Sequence, residues 1–271
     1  MIRQLLHQSD VDVVRESNPN FAGTLAKGLM ILQAFLREPR PYANSELADL
    51  LGLPRPTVSR LCHTLMELGY LDHDERIDRY FIGPAAVALG YPYLSSIPLR
   101  TQAKPDIQAL ANQIRGAVSI GVPMGLDVLY VETCSYRHGI LARPDVGAVR
   151  SVATTAMGRA WLYSIDKKAR TEVLKQLKAL RPEELARCES GIDESLSMQG
   201  RRGFAVNVGD AGFGVNGVAL CSRIRHGSRH LLFNCAVPGT QMSPEEMISH
   251  VGPQLVSLVR RCELAAGVEQ T

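Results

Sequence analysis

The first third of the chain consists of short segments with apolar residues at helical spacing, separated by breaks that contain proline or glycine. The spacing predicts a first helix from about Thr24 to Leu36, which a stretch with two prolines then ends. A second helix, capped by Asn44 or Ser45, is expected to continue to Leu51. The chain is therefore expected to begin with a small helical unit.

A third helix is predicted after a tight turn. Pro54 and Pro56 suit its first turn, where a missing N–H is tolerated, and Gly69 ends it. Its inward stripe consists of Val58, Leu61, Cys62, Leu65 and Leu68. Two short helices around a tight turn are typical of a helix-turn-helix, whose second helix fits the DNA major groove, although the same pair also occurs in other folds.

The segment 70–83 follows this pair and carries a different pattern. Short apolar pieces flank a charged centre in the sequence Y-L-D-H-D-E-R-I-D-R-Y-F-I-G. This pattern predicts a two-stranded hairpin, as in the wing of a winged helix-turn-helix. The wing strengthens the DNA-binding interpretation beyond what the helix pair alone supports.

The distribution of charged residues is more informative than the net charge of the chain. The whole chain has a formal net charge of +3, but residues 25–83 carry seven Lys or Arg against eight acids. Bulk charge therefore does not argue for nucleic acid. From Pro54 to Met66, however, there are two arginines and one histidine and no acid, so this stretch is the one expected to face phosphates.

The residues predicted to contact DNA are small hydroxyl or basic residues on and around this helix. Hydroxyls reach phosphates or base edges, and a guanidinium group suits guanine or phosphate. For Arg60 a pair with Glu67 or with an acid of the wing is an alternative, and for Arg76 and Arg79 the alternative is solvation of the hairpin. The set is Ser45, Arg55, Pro56, Thr57, Ser59, Arg60, His63, Thr64, Arg76 and Arg79.

The remaining pattern divides the chain into further segments. Residues 1–22 are polar and aperiodic and are predicted as a flexible arm before the DNA-binding domain at 23–83. Residues 84–97 read as an uncharged linker helix with an apolar face for dimer or interdomain contact. In residues 98–271, strands, then helices, then strands in hairpin order predict an α+β domain with an antiparallel sheet flanked by helices.

Several stretches resemble the IclR family of bacterial transcription regulators. They are L-A-K-G-L-M-I-L-Q-A-F, the run from S-E-L-A-D-L-L-G-L to M-E-L-G-Y, R-Y-F-I-G-P-A-A-V-A-L-G, T-T-A-M-G-R-A and G-F-A-V-N-V, and together they span nearly the whole chain. The first helix is most similar to the branch that regulates aromatic-acid catabolism. The resemblance implies a winged helix-turn-helix, a linker helix used in dimerisation and a GAF-like C-terminal domain.

The resemblance also implies partners and a second site. Such regulators act on palindromic double-stranded operator DNA as dimers or dimers of dimers, under control of a small organic acid, with an aromatic acid as one option. Carried onto this chain, the effector-binding positions are Ala142, Ala156, Met157, Asn207, Val215, Gly217, Asn234 and Ala236. For Ala156 and Met157 the resemblance implies a contact through the backbone. There is an independent physical reason for it, because the free N–H groups at a helix N-terminus favour a carboxylate.

Some positions depart from the family pattern. Asn207 stands where an acid is common, Asn234 and Ala236 replace serines, and G-D-A-G stands where paired glutamates often occur. Two alternatives to the family's effector are therefore open for this site: it binds a different ligand, or it is ordinary sheet core that binds nothing tightly.

Other functions are weighed and mostly set aside. Gly212, Gly214 and Gly217 spell G-x-G-x-x-G, but a strand pattern follows instead of a helix, so a dinucleotide site is rejected. No metal, cofactor or catalytic motif is found, and an enzyme or metabolite-binding protein with an accessory helical domain remains the rival. The basic stretches 201–202 and 223–230 suggest a second nucleic-acid surface or, as the alternative, a solvated strand edge.

Composition sets the remaining expectations. The chain of 271 residues is 45% hydrophobic and 21% charged, which is typical of a globular protein, and it has no apolar run of membrane-spanning length. The N-terminus does not fit a secretory signal, so a cytoplasmic protein is expected. Six scattered cysteines form no C-x-x-C pair and are expected to be reduced, with a thiol-based redox regulator as the alternative.

Overall fold

The computed structural model describes residues 8–136, 144–212 and 214–268. The chain divides into two compact units, Met1–Ser96 and Ile97–Thr271. Among the described residues, no helix combines the length and apolar character that a bilayer crossing requires. The two units are described separately below.

The N-terminal unit is a helical bundle with a β-hairpin. Its elements are α1 (Gln8–Ser17), α2 (Gly23–Arg37), α3 (Asn44–Leu51), α4 (Arg55–Glu67), β1 (Leu71–Asp74), β2 (Arg79–Ile82) and α5 (Pro84–Ser95). β1 and β2 pair antiparallel from Leu71–Ile82 to Asp74–Arg79 and form the wing. The predicted helix pair and wing are thus present.

The prediction of a flexible arm over residues 1–22 is wrong where the structure describes it. α1 is a helix, and Val11 is buried in the core of the unit, against α2. The signal was the pair Val11 and Val14, one helical turn apart, which gives the segment a narrow apolar side. The polar residues around that pair concealed it.

The start of α3 differs from the predicted cap. The N-cap residue is Ala43, not Asn44 or Ser45, and Glu46 reaches back so that its Oε2 accepts the Ala43 amide at 2.7 Å. This bond satisfies one of the free donors at the helix start. Because Glu46 also binds two arginines, it ties α3 to its surroundings, as described below.

The C-terminal unit is an antiparallel sheet with helices, and the α+β prediction is confirmed. Its strands are β3 (Ala117–Met124), β4 (Asp127–Ser135), β5 (Val149–Ser151), β6 (Ala205–Val208), β7 (Val215–His226) and β8 (Arg229–Pro238). They form one sheet of order β5-β4-β3-β8-β7-β6. The three-residue strand β5 was not predicted, because so short a segment has no readable period.

The helices of this unit are α6 (Leu99–Gln102), α7 (Lys104–Ile114), α8 (Ala156–Ser164), α9 (Lys167–Leu180), α10 (Pro182–Arg202), α11 (Pro244–Glu246) and α12 (Gly252–Ala265). The last two follow one another without an intervening loop. A π-helical turn, Met247–Val251, joins them just before Pro253, whose missing N–H disrupts the regular ladder.

α8 packs on the sheet at very short range. Gly158 lies so close to the backbone of Val152 that a Cβ atom would overlap it. Met157 and Ala160 are fully buried in the core cluster that α8, α10 and the sheet share. This contact fixes the position of the α8 N-terminus over the sheet, which matters for the cavity described next.

Candidate functional sites

The first candidate site is the outer surface of α4. Val58, Cys62 and Leu65 are buried, as their spacing predicts, and Leu61 is half-buried. The prediction is wrong for Leu68, which caps the end of the helix and is 60% exposed. Six of the predicted DNA contacts on this helix are exposed, namely Arg55, Pro56, Ser59, Arg60, His63 and Thr64. Thr57 is half-buried, as is Ser45 in the first turn of α3. From Arg55 to Met66 this surface is therefore available to a duplex and carries positive or neutral side chains only, and the exposed acid Glu67 is the last residue of the helix.

The wing arginines have partners within the protein. Arg79 lies in β2 and not at the tip, where it donates to Glu46 Oε2 at 2.7 Å and to the Pro41 carbonyl at 3.1 Å. Arg40 binds the second oxygen of Glu46 at 3.3 Å. Arg79 therefore attaches the wing to α3 through a partner that no local pattern indicates, and its contact with DNA stays a prediction.

Arg76, unlike Arg79, lies in the turn between β1 and β2 and is exposed. Its guanidinium forms two hydrogen bonds to Asp74, at 3.1 and 2.8 Å, and its side chain is 88% exposed. This ion pair lowers the pKa of Asp74 and raises that of Arg76. A contact with DNA would have to compete with this local pair.

The second candidate site is a cavity between the sheet and the start of α8. It comprises about 780 Å³ of space between atoms, including its opening to solvent. One row of its floor crosses four strands through the register pairs Asn207–Gly217, Gly217–Ala236 and Ala236–Ala117. The next row on the same face contains Asn234, paired with Ser119.

The α8 N-terminus forms the opposite wall. Thr155 is the N-cap and its hydroxyl accepts the Gly158 amide at 3.0 Å. A Cβ at Gly217 would lie 3.5 Å from the Ala156 side chain, so the first turn stands directly over the floor. The amides of a first helical turn have no intrahelical acceptor, and the helix dipole favours an anion there.

Arg150 and Tyr130 line the same cavity from β5 and β4. Burial raises the pKa of Tyr130 to about 12, and the positive charge of Arg150 acts in the opposite direction. Tyr130 is therefore a neutral phenol at physiological pH. Together with the α8 amides, a cation and a phenol provide this part of the cavity with groups suited to a carboxylate.

The structure brings six of the eight predicted effector positions to this cavity: Ala156, Asn207, Val215, Gly217, Asn234 and Ala236. Met157 is instead fully buried in the core, with its sulfur close to Gly121, and its side chain does not line the cavity. Ala142 lies outside the described residues. The contact expected of Met157 involves its backbone in the first turn of α8, so the burial of its side chain leaves that expectation a prediction.

Sequence reasoning missed several lining residues, including Arg150, Tyr130, Ser119, Thr154 and Thr155. A threonine before a helical pattern is an N-cap signal, so Thr155 could have been found. Arg150 reaches the cavity because β5 pairs with β4 in the register Arg150–Val128, and nothing local indicates that pairing.

A buried ion pair holds the loop that closes one side of the cavity. Arg159 of α8 is 2% exposed and pairs with Asp210, while its Nη1 donates to the Val206 carbonyl at 2.8 Å. Asp210 immediately precedes Ala211 and Gly212, which line the cavity. The pair therefore connects α8 to the β6–β7 loop at the ligand side.

The described residues offer no support for metal or thiol chemistry. No group of three or more potential metal ligands occurs among them. Five cysteines are buried and Cys221 is half-buried, and none of the six forms a disulfide. Burial raises the thiol pKa of Cys62 to about 12 and raises that of Cys235 still further, which disfavours the reactive thiolate.

Comparison with known families agrees with this architecture. Residues 24–75 match the IclR helix-turn-helix domain, and residues 91–261 match the bacterial transcriptional regulator IclR C-terminal domain. The chain is 31% identical over 258 residues to the HTH-type transcriptional regulator TsaQ1/TsaQ2 of Comamonas testosteroni. The aligned residues cover 94% of this chain and 92% of the relative. These proteins are transcriptional regulators and not enzymes.

Solved structures give the same result. The crystal structure of an IclR family transcriptional regulator from Brucella abortus superimposes with a TM-score of 0.82 at 31% identity, covering 93% of this chain and 95% of that one. An IclR homologue from Microbacterium hydrocarbonoxydans, complexed with 4-hydroxybenzoate, shares the fold with a TM-score of 0.63 at 18% identity, covering 88% and 99%. The chain belongs to the IclR family of DNA-binding transcriptional regulators.

Proposed function

We propose that this regulator is controlled by a small organic acid bound in the cavity between α8 and the sheet. The observation that carries the proposal is the meeting of the α8 first turn, Arg150 and Tyr130 at one cavity. Free amides, a guanidinium and a phenol are complementary to a carboxylate. A homologue of the same fold has been crystallised with such an acid, 4-hydroxybenzoate.

Acid binding is tested by thermal melting of the full-length protein with matched pairs, each a carboxylic acid and its primary amide, beginning with benzoate and benzamide. A ligand of the native state raises the melting temperature. We expect the acids to do so and the amides not to, and Arg150→Met to weaken the response. Equal shifts for acid and amide would contradict recognition of the carboxylate.

The second part of the proposal concerns operator recognition by α4 in the major groove. Arg55, Ser59, Arg60 and His63 point outward from a helix without acidic residues over this stretch. The operator is double-stranded and palindromic because the regulator acts as a homodimer or a dimer of dimers. The protein acts in the cytoplasm, where its DNA is.

Fluorescence anisotropy tests this role with a duplex taken from the DNA upstream of the gene that encodes this protein. Arg55→Ala and Ser59→Ala should weaken binding, and Arg55→Ala should also reduce the salt dependence. Lys178→Ala, an exposed charge on α9 in the other unit, is the matched control and should change nothing. Equal affinity for the upstream and a random duplex would overturn sequence-specific binding.

For the dimer contact we propose the uncharged surface of α5. Val87 is 75% exposed, Leu89 63% and Tyr91 70%, and the helix has no buried residue. Apolar side chains exposed together favour association. Sedimentation of wild type and Leu89→Glu over a range of protein concentrations measures this directly. The variant should dissociate into smaller species at a higher protein concentration than wild type does, and an unchanged assembly would exclude α5.

A further inference from the structure

The edge strand β5 is supported by a neighbouring strand on one side only. In the part of the chain that the structure describes, β4 is the only strand with which it pairs. It is three residues long, and its middle residue is Arg150, which lines the cavity. The placement of the Arg150 side chain therefore depends on what else fixes this short strand.

The side chain of Ser151, the residue after Arg150, is fixed by two hydrogen bonds. Its hydroxyl donates to Oε1 of Glu184 and accepts the Ala153 amide at 3.2 Å. Glu184 belongs to the first turn of α10 and does not line the cavity. Because Ser151 is 8% exposed, water has little access to replace a lost bond there.

An ion pair completes the attachment of β5 to α10. Arg181, the N-cap residue of α10, donates to both carboxylate oxygens of Asp127, at 2.7 and 3.0 Å. Asp127 is the partner of Ser151 in the register of β4 and β5. The Glu184 carboxylate lies 3.8 Å from the Arg181 guanidinium. The start of α10 therefore binds both residues of one strand pair.

Ser151 also connects the two parts of the cavity that suit a carboxylate. Arg150 precedes it in the chain, and its carbonyl accepts the hydroxyl of Thr155, the N-cap residue of α8, at 3.0 Å. A shift of Ser151 would therefore move Arg150 and the α8 first turn relative to each other. Hydrogen bonds to a carboxylate weaken steeply when donor and acceptor are misaligned, so such a shift would weaken acid binding.

We infer that Glu184, acting through Ser151, is a positioning residue for the acid bound in the cavity. This inference rests on the proposed function, because it assumes that Arg150 binds the carboxylate. With Glu184 in place, β5 is ordered before the acid enters, and less freedom is lost on binding. Without Glu184, the acid itself must order the strand, and its affinity falls by that cost.

Calorimetric titration of the full-length protein with benzoate, 4-hydroxybenzoate and butanoate tests this role. For each acid that binds wild type, Glu184→Ala should weaken binding about fivefold, a size typical of residues that act on a site through packed neighbours. Glu184→Gln keeps an oxygen that accepts from Ser151 and should bind nearly as tightly as wild type. Glu183→Ala is the matched control, because it removes the same charge from the same turn at an exposed position, and it should change nothing.

A second comparison distinguishes positioning from a general loss of structure. Adding Glu184→Ala to Arg150→Met should weaken binding much less than adding it to wild type, because most of its effect passes through Arg150. Melting curves without acid show that each variant folds at the titration temperature. If Glu184→Ala does not fold, Ser151→Ala removes the same hydrogen bond from the strand side, and the same results are expected of it.

The outcomes separate this inference from the proposed function. If acids bind wild type and Glu184→Ala equally well, the positioning role is overturned while the organic-acid proposal stands. An equal loss with and without Arg150, or a similar loss in Glu183→Ala, also overturns it. If none of the three acids binds wild type, the organic-acid proposal fails and this inference fails with it.

Discussion

The two candidate sites use polar side chains in opposite ways. On α4, Arg55, Ser59 and His63 are exposed and stand on a helix whose opposite side is buried core. In the cavity, Asn207 and Asn234 are buried with unused acceptors. The first surface can exchange its water for phosphates and base edges, whereas the second offers acceptors to a group that enters the cavity.

The two sites should therefore differ in how they tolerate amino-acid substitutions. Substitutions on the α4 surface should alter binding and leave folding intact, because solvent replaces what is lost. Substitutions around the cavity should affect folding and binding together, because the same close contacts build the walls. The predictions below test that contrast, from the largest expected effect to the smallest.

Gly158→Ala should destabilise the C-terminal unit most, by about 3 kcal/mol or more, because the added methyl overlaps the Val152 backbone. Trp161, the one tryptophan of the chain, lies in α8, so its fluorescence during urea unfolding reports this unit. Gly217→Ala is the control: its methyl meets Ala156 at an ordinary 3.5 Å, and it should fold normally. Equal losses for the two variants would contradict the packing argument.

Asp210→Asn should cost about 2 kcal/mol in the same unfolding measurement, because it leaves the Arg159 cation buried without its counter-charge. The expected loss is below that of a fully buried pair because Asp210 is 23% exposed. Arg159→Met combined with Asp210→Asn should recover part of it.

The matched comparison for Asp210 lies in the N-terminal unit. Asp74→Asn removes the partner of Arg76, whose side chain is 88% exposed, and solvent should compensate this loss almost completely. Thermal melting of this variant should match wild type. A loss as large as that of Asp210→Asn would remove the contrast between exposed and buried polar groups.

Arg79→Met should reduce operator affinity several-fold without contacting DNA, because it releases the wing from Glu46. Anisotropy titrations over a range of salt concentrations test this. A positioning residue changes affinity with little change in the salt slope, whereas a phosphate contact lowers the slope by about one. Arg76→Met is the comparison, and a lowered slope for Arg79→Met would identify a direct contact.

Gly28→Ala should give the smallest effect and the opposite sign. The glycine lies within α2, and a Cβ there has nothing within 4 Å. Alanine in a helix interior is favoured over glycine by about 0.5–1 kcal/mol, so the N-terminal unit should be slightly stabilised. Hydrogen exchange of α2 amides measures the gain, and faster exchange would show an unseen contact of Gly28.

Local patterns were sufficient where structure depends on neighbouring residues. The stripe Val58, Cys62 and Leu65 correctly indicated the inward side of α4, and the charged centre of residues 70–83 indicated the wing. They were insufficient for α1, where Val11 is buried within a largely polar helix. β5 was missed because three residues carry no period of their own.

The cavity shows more clearly which features cannot be predicted from the sequence. The resemblance to the IclR family predicted that Asn207, Gly217 and Asn234 belong to one site, and the strand register places all three in one cavity wall. It did not indicate Arg150 or Tyr130, nor that the Met157 side chain is buried in the core. Each of these depends on pairing between segments far apart in the chain.

The sequence by itself determined the helix pair and the wing, the α+β class and the absence of acids between Pro54 and Met66. These follow from periodicity, capping and residue type over a few turns, which are properties of contiguous residues. Only the tertiary structure decided that Arg79 binds Glu46 and that Asn207 and Asn234 keep unused acceptors. Hydrogen-bond satisfaction depends on which distant groups meet, and that is fixed by strand register and helix packing.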